Sequence, residues 1–80
     1  MDKKKITQAI EDFEYRDNGF KNLSGVDAVA KNVRIKKSEN KVYADIILKW
    51  YEEGRSERHN DCYYPLDEME ERVKKMEGVL

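Results

Sequence analysis

The sequence predicts an α+β fold in the order α-β-β-β-α, a three-stranded antiparallel meander with both helices packed on one face. Three observations predict it. Apolar residues recur at helical spacing near both ends, the period drops to two between about Val29 and Tyr64, and turn-forming residues separate the periodic segments. The 80 residues, without repeat, low-complexity tract or internal linker, read as a single domain over 1–80.

The first sixteen residues form the first helix in this reading. Asp2 is its cap, and Ile6, Ala9, Ile10 and Phe13 share one face. Asn18-Gly19 is a stop signal, because glycine enters the left-handed conformation without steric cost. Residues 19–27 are a connection that Phe20, Leu23 and Val26 pin to the core.

From Val29 the chain alternates, which places Val29, Val33 and Ile35 on one side. The strand Val42 to Tyr51 carries Val42, Ala44, Ile46, Leu48 and Trp50 at even positions, facing in. Tyr43, Asp45, Ile47, Lys49 and Tyr51 stand at odd positions, facing out. A two-residue turn at Glu39-Asn40 pairs Ile35 with Ala44, Val33 with Ile46, and Arg34 with Asp45 on the outer face. After Glu52-Glu53-Gly54-Arg55 a third strand runs from Glu57 to Tyr64. A three-residue loop or a glycine bulge at Gly54 keeps Cys62 and Tyr64 inward. Pro65 ends that strand, and Asp67-Glu68-Met69-Glu70 is a capping pattern for a helix to about Glu77. Its stripe is Leu66, Met69, Val73 and Met76.

Composition narrows the function classes. Charged residues make up 41% of the chain and apolar ones 39%, a thin core under a charged coat; a chain this short buries only about 60% of its unfolded surface. The net charge of -1 exerts no global pull on nucleic acid or an anionic membrane. The single cysteine, Cys62, cannot pair internally, which points to a reducing cytoplasm, and no segment has the apolar length or character of a membrane span or a signal core.

No chemistry emerges from the reactive residue types. On an uninterrupted strand His59 and Asp61 share one face while Cys62 points to the other, too few converging ligands for zinc. Cys62, turned into apolar surroundings, reads as an inert core thiol. Glu52-Glu53 and Glu70-Glu71 are solvated acids, and the four glycines are isolated, so no phosphate loop forms. The expectation is a protein that is not an enzyme and holds no cofactor or metal.

Charge is segregated along the chain. Residues 31–49 hold six bases against two acids, and residues 52–80 nine acids against five bases. The predicted outer sheet face is the most informative feature. Tyr43, Ile47, Tyr51 and Tyr63 are its anchors, with Arg34, Lys36 and Lys49 as steering groups. An antiparallel sheet ordinarily leaves one face polar, whereas tyrosine and arginine dominate interface hot spots. The first strand is an edge to which a partner strand or a second copy could add.

The element order and length resemble those of the double-stranded-RNA-binding domain. That resemblance implies the α-β-β-β-α fold, a lysine cluster opening the second helix to meet phosphates, and a histidine in the first hairpin loop. Here the corresponding stretches are Asp67-Glu68-Met69-Glu70-Glu71 and Ser38-Glu39-Asn40-Lys41, so the fold carries over and RNA binding does not. The expected function is a small binding protein that inhibits or modulates a larger protein or nucleoprotein complex. Its general character is that of phage and mobile-element inhibitors of the anti-CRISPR or anti-restriction type. The alternative is a single-stranded nucleic-acid binder using the same face. Membrane association is not expected, and homodimerisation is compatible with the edge strand.

Overall fold

The computed structural model describes residues 2–17 and 25–78. Helix α1 spans Lys3–Asp17, strand β1 Val26–Lys36, a 3₁₀ turn Lys37–Glu39, β2 Lys41–Trp50, β3 Arg55–Pro65 and helix α2 Leu66–Met76. The strands form one sheet in the order β1-β2-β3, antiparallel throughout. This is the α-β-β-β-α arrangement expected, with β1 beginning three residues earlier than Val29. Phe20 and Leu23, given a pinning role above, lie outside the described residues, as does the Asn18-Gly19 stop.

Asp2 caps α1 as expected: its carboxylate accepts the Lys4 N–H at 2.9 Å and its carbonyl accepts the Ile6 N–H. Ile6, Ala9 and Ile10 are buried against the sheet, with Phe13 at the margin of the same cluster. The middle strand completes the core. Val42, Ala44, Ile46 and Leu48 are buried beneath the helices, together with Tyr64, Leu66 and Met69. The core thus lies on the even side of β2, and both helices cover that side alone. Tyr64 sets its ring edge-on to Phe13, 5.6 Å between centroids, and donates its hydroxyl to Glu14 at 2.6 Å. Arg72 of α2 reaches Asp12 of α1 at 2.8 Å, tying the helices together. The apolar stripe of α2 ends at Val73, because Met76 is 45% exposed rather than part of the core.

The first hairpin departs from its expected register. The connection is not a two-residue turn. It is the 3₁₀ turn Lys37–Glu39 closed by Asn40 in the left-handed conformation (φ 54°), with the Asn40 N–H donating to Lys37 O. Lys36 therefore faces Lys41, Ile35 faces Val42 and Arg34 faces Tyr43. A slip of two residues keeps each side chain on its face. A bulge between Lys31 and Arg34, with Asn32 at φ 55°, then changes the parity. Ala28 and Ala30 point into the core, and Val29 lies opposite Ile47 on the outer face, the reverse of the expectation for Val29.

The second turn is also longer than expected. Residues 51–54 form it, with Gly54 at φ 64° and its N–H donating to Tyr51 O, and Arg55 faces Trp50. Glu57 and His59 consequently stand on the helix side, opposite Leu48 and Ile46, where they remain exposed. A second bulge, with Asp61 at φ 57°, resets the parity so that Cys62 and Tyr64 do face inward, opposite Ala44 and Val42. His59 and Asp61 do not share a face, because the bulge lies between them.

The capping pattern at Asp67 is not used. No side chain of its own segment caps α2. Asn40, in the first hairpin, does so instead: its side-chain oxygen accepts the Asp67 N–H at 3.0 Å and its carbonyl accepts the Leu66 N–H at 3.0 Å. The hairpin loop and the helix start are thereby locked to each other. Among the described residues, no helix is long and apolar enough to cross a membrane.

Candidate interaction face

The side of the sheet away from the helices is open, and the odd positions of β2 run down its centre. Tyr43 is half-buried between Arg34, whose guanidinium carbon lies 5.9 Å from the ring centroid, and Tyr63, 6.1 Å away between centroids. Tyr63 is 63% exposed and carries the Lys41 ammonium 5.1 Å above its ring. These four side chains form one cluster, beside a shallow hollow of about 310 Å³ lined by Arg34, Lys36, Glu39, Tyr43 and Asp61. Ile47 lies further along the strand, half-buried between Val29 and Arg58, and Lys49 stands between Asp27 and Ser56. Tyr51 falls in the turn after β2, 61% exposed, with its hydroxyl 3.5 Å from Asp27. Eight residues of strand, roughly 26 Å at about 3.3 Å per residue, separate it from Tyr43. The four expected anchors thus divide into a Tyr43–Tyr63 pair, a central Ile47 and a remote Tyr51.

Asp45 organises the middle of this face. Its side is open, yet its relative exposure is only 9%. One oxygen accepts the Asn32 side-chain amide at 2.8 Å, and the other accepts the Asp61 backbone N–H at 3.0 Å. Arg34 and Arg58 approach at 3.6 and 3.4 Å. The donors come from both neighbouring strands, and Asn32 and Asp61 are the left-handed residues of the two bulges. One carboxylate therefore pins both bulges at a single level of the sheet. The Asn32 amide first, then the Asp61 N–H and the two guanidinium groups, hold the Asp45 carboxyl below its ordinary range, with desolvation opposing them. Arg34, expected as a steering group, also binds Asp61 at 3.1 Å and is thus ion-paired within the face. The expected Arg34–Asp45 contact exists, but diagonally, since Lys31 and not Arg34 is opposite Asp45.

Across the face Lys31, Arg34, Lys36, Lys41, Lys49 and Arg58 outnumber Asp27, Asp45 and Asp61, leaving a basic balance. Val29, Lys31, Lys41 and Arg58 were missed as members. Val29 and Lys31 precede a bulge that a two-residue period cannot anticipate, and Arg58 follows a turn of unexpected length. The signal for the Asp45 node is present in the sequence: an acid amid apolar residues of the strongest strand, with asparagines in both flanking strands.

Cys62 is half-buried; burial, and after it the nearby Glu14 carboxylate, push its thiol up, and the sulfur lies 3.4 Å from His59 O. Among the described residues, no three of His, Cys, Asp and Glu converge to hold a metal ion. No family model matches the chain, and no curated protein or solved structure matches it. Fold and face together define a small α+β domain with one helix-covered sheet face and one open, basic and tyrosine-bearing face.

Proposed function

We propose that this chain is a non-enzymatic binding module whose open sheet face docks on an acidic surface of a larger protein. The supporting observation is the Tyr43–Tyr63 pair set among an excess of lysine and arginine on a face that neither α1 nor α2 covers. Tyrosines that expose edge and hydroxyl, ringed by charge, have the composition of an interface hot spot. The heavy charge of the domain favours a modulating, inhibitory role over a structural one, in the manner of phage-encoded inhibitors of defence complexes.

A single-stranded nucleic acid is the second reading, favoured by tyrosines beside lysine on one face. Two features weigh against it. Lys41 and Arg34 already occupy ring faces on which bases would stack, and the carboxylates of Asp27, Asp45 and Asp61 interrupt the basic field.

A photo-crosslinking side chain placed at Tyr63, and separately at Glu71 on the exposed part of α2, tests the proposal in a lysate of the source cell. The expected result is a discrete protein adduct from position 63 alone, lost when Tyr43→Ala is added, since a hot-spot truncation costs about 2 kcal/mol or more, roughly 30-fold in affinity. Equal adducts from both positions would move the interface off the sheet. Adducts to nucleic acid alone would establish the second reading instead.

A further inference from the structure

We infer that the free edge of β3 pairs with β3 of a second copy of this chain, antiparallel, about a two-fold axis normal to the sheet that passes between Ser56 and its own copy. The two edges of the sheet are treated differently by the structure. Tyr51 N–H donates to Gly25 O at 2.7 Å, which sets the alternation of the β1–β2 ladder. Gly25, Asp27, Val29 and Lys31 then turn their backbone groups toward β2, while Ala28 and Ala30 turn theirs outward. Those outward N–H groups are already occupied: Ala28 donates to the Asp27 carboxylate and Ala30 to the Glu11 carboxylate of α1, both at 2.9 Å. The β1 edge is closed to strand addition over this stretch.

The same alternation carried across β2 turns Arg55, Glu57 and His59 toward β2 and leaves the N–H and C=O of Ser56 and Arg58 facing solvent. Every residue from Arg55 to Asp61 is exposed, and among the described residues no side chain from another element reaches this outer edge. β3 carries no lysine and no proline before Pro65, and its bulge at Asp61 lies beyond the Arg55–His59 stretch that pairs, so the devices that blunt an edge are absent from that stretch.

Charge selects the occupant and the register. An axis normal to the sheet pairs residues of one face, so it lies midway between one residue and its own copy. Centred on Glu57 it opposes two acids; centred on Arg58 it opposes two guanidinium groups. Centred on Ser56 it places Ser56 against its own copy as a hydrogen-bonded pair, and sets Arg55 opposite Glu57 of the second copy twice. Those pairs fall at the non-hydrogen-bonded positions, where side chains approach closest. Arg55 stands stacked 4.1 Å from the Trp50 ring, hydrogen-bonded to Glu53 at 3.2 Å and 3.9 Å from Glu57 of its own strand, so the second copy's Glu57 joins or replaces exposed carboxylates at an arginine already held in place. The ladder is short, so the dimer is weak and concentration-dependent. The axis keeps both open faces on the same side of one continuous sheet.

Sedimentation equilibrium of the full chain at low salt, from micromolar to millimolar concentration, tests this. The expected result is self-association weakened about tenfold or more by Ser56→Pro, which removes an outward donor, and by Glu57→Arg, with recovery in the Arg55→Glu/Glu57→Arg exchange. A monomer throughout, or a dimer indifferent to Ser56→Pro and Glu57→Arg in folded protein, would overturn the inference. A wild-type measurement stands beside the variants: the Ser56 amide gains exchange protection as concentration rises, and unchanged protection there would equally overturn it.

Discussion

Replacing Ile46 and Ile47 one at a time by alanine tests the alternation of β2 at adjacent residues of identical chemistry. Ile46 is 2% exposed and enclosed by the core cluster, whereas Ile47 is half-buried on the open face between Val29 and Arg58. Truncating either removes three carbons, worth about 0.8 kcal/mol each when fully buried. At position 46 the transfer loss of about 2.4 kcal/mol is joined by a cavity term, for a total of roughly 3–4 kcal/mol. At position 47 about half the area was in water already and no enclosed void is left, so about 1 kcal/mol is lost. A chain of this length has on the order of 4–12 kcal/mol in all, so the first substitution consumes a large share of it. Urea unfolding followed by Trp50 fluorescence measures both, with equal slopes required for the comparison. Equal losses, or a greater loss at position 47, would mean that the face described as open is the packed one, and the Tyr43–Tyr63 surface would go with it.

Two further substitutions address what holds the ends and the middle of the sheet. Asn40→Ala removes both the cap on α2 and a residue at ease in the left-handed conformation, and should cost about 1–2 kcal/mol; Asn40→Gly keeps the conformation and should cost less. An Asn40→Gly variant as stable as the wild type, read by the same urea titration, would deny the Asn40 side chain its capping role. The Asn32 amide and the Asp61 N–H hold the Asp45 carboxyl below the ordinary carboxylate range, so its contribution is present above that range and lost as the pH falls through the lowered folded-state value. Asp45→Asn should therefore be less stable than the wild type at pH 7, with the difference shrinking on the acid limb. A difference that stayed constant down to acid unfolding would show that the charge on Asp45 is irrelevant.

How far the fold could be read in advance depended on whether the deciding contact was local. The stripe Ile6, Ala9, Ile10 and Phe13 and the alternation from Val42 to Leu48 are periodic along the chain, and periodicity is visible without coordinates. The bulges at Asn32 and Asp61 break a period of two by one residue, and what stabilises them is a carboxylate on another strand. Val29 was accordingly turned the wrong way, and His59 and Asp61 were joined on a face they do not share. The cap on α2 shows the same limit: Asp67 to Glu70 fits a capping pattern, but Asn40, 27 residues away, makes the bonds. Of the site, Tyr43, Ile47 and Tyr63 were legible because β2 alternates and β3 resumes the same parity after its bulge. The Arg34–Asp61 ion pair was not, because Asp61 reaches Arg34 only through that bulge.

The double anchorage of Asp45 has a consequence for how freely this surface can change. Alignment of the three strands is set by one acid, two reversed-handed residues and a hairpin asparagine, none of which needs the aromatic side chains around them. Tyr43, Ile47, Lys49, Ser56 and Tyr63 can therefore be exchanged for other residues while the strands stay in step. A library built at those five positions on an unaltered Asp45, Asn32 and Asp61 would present varied side chains on a constant scaffold.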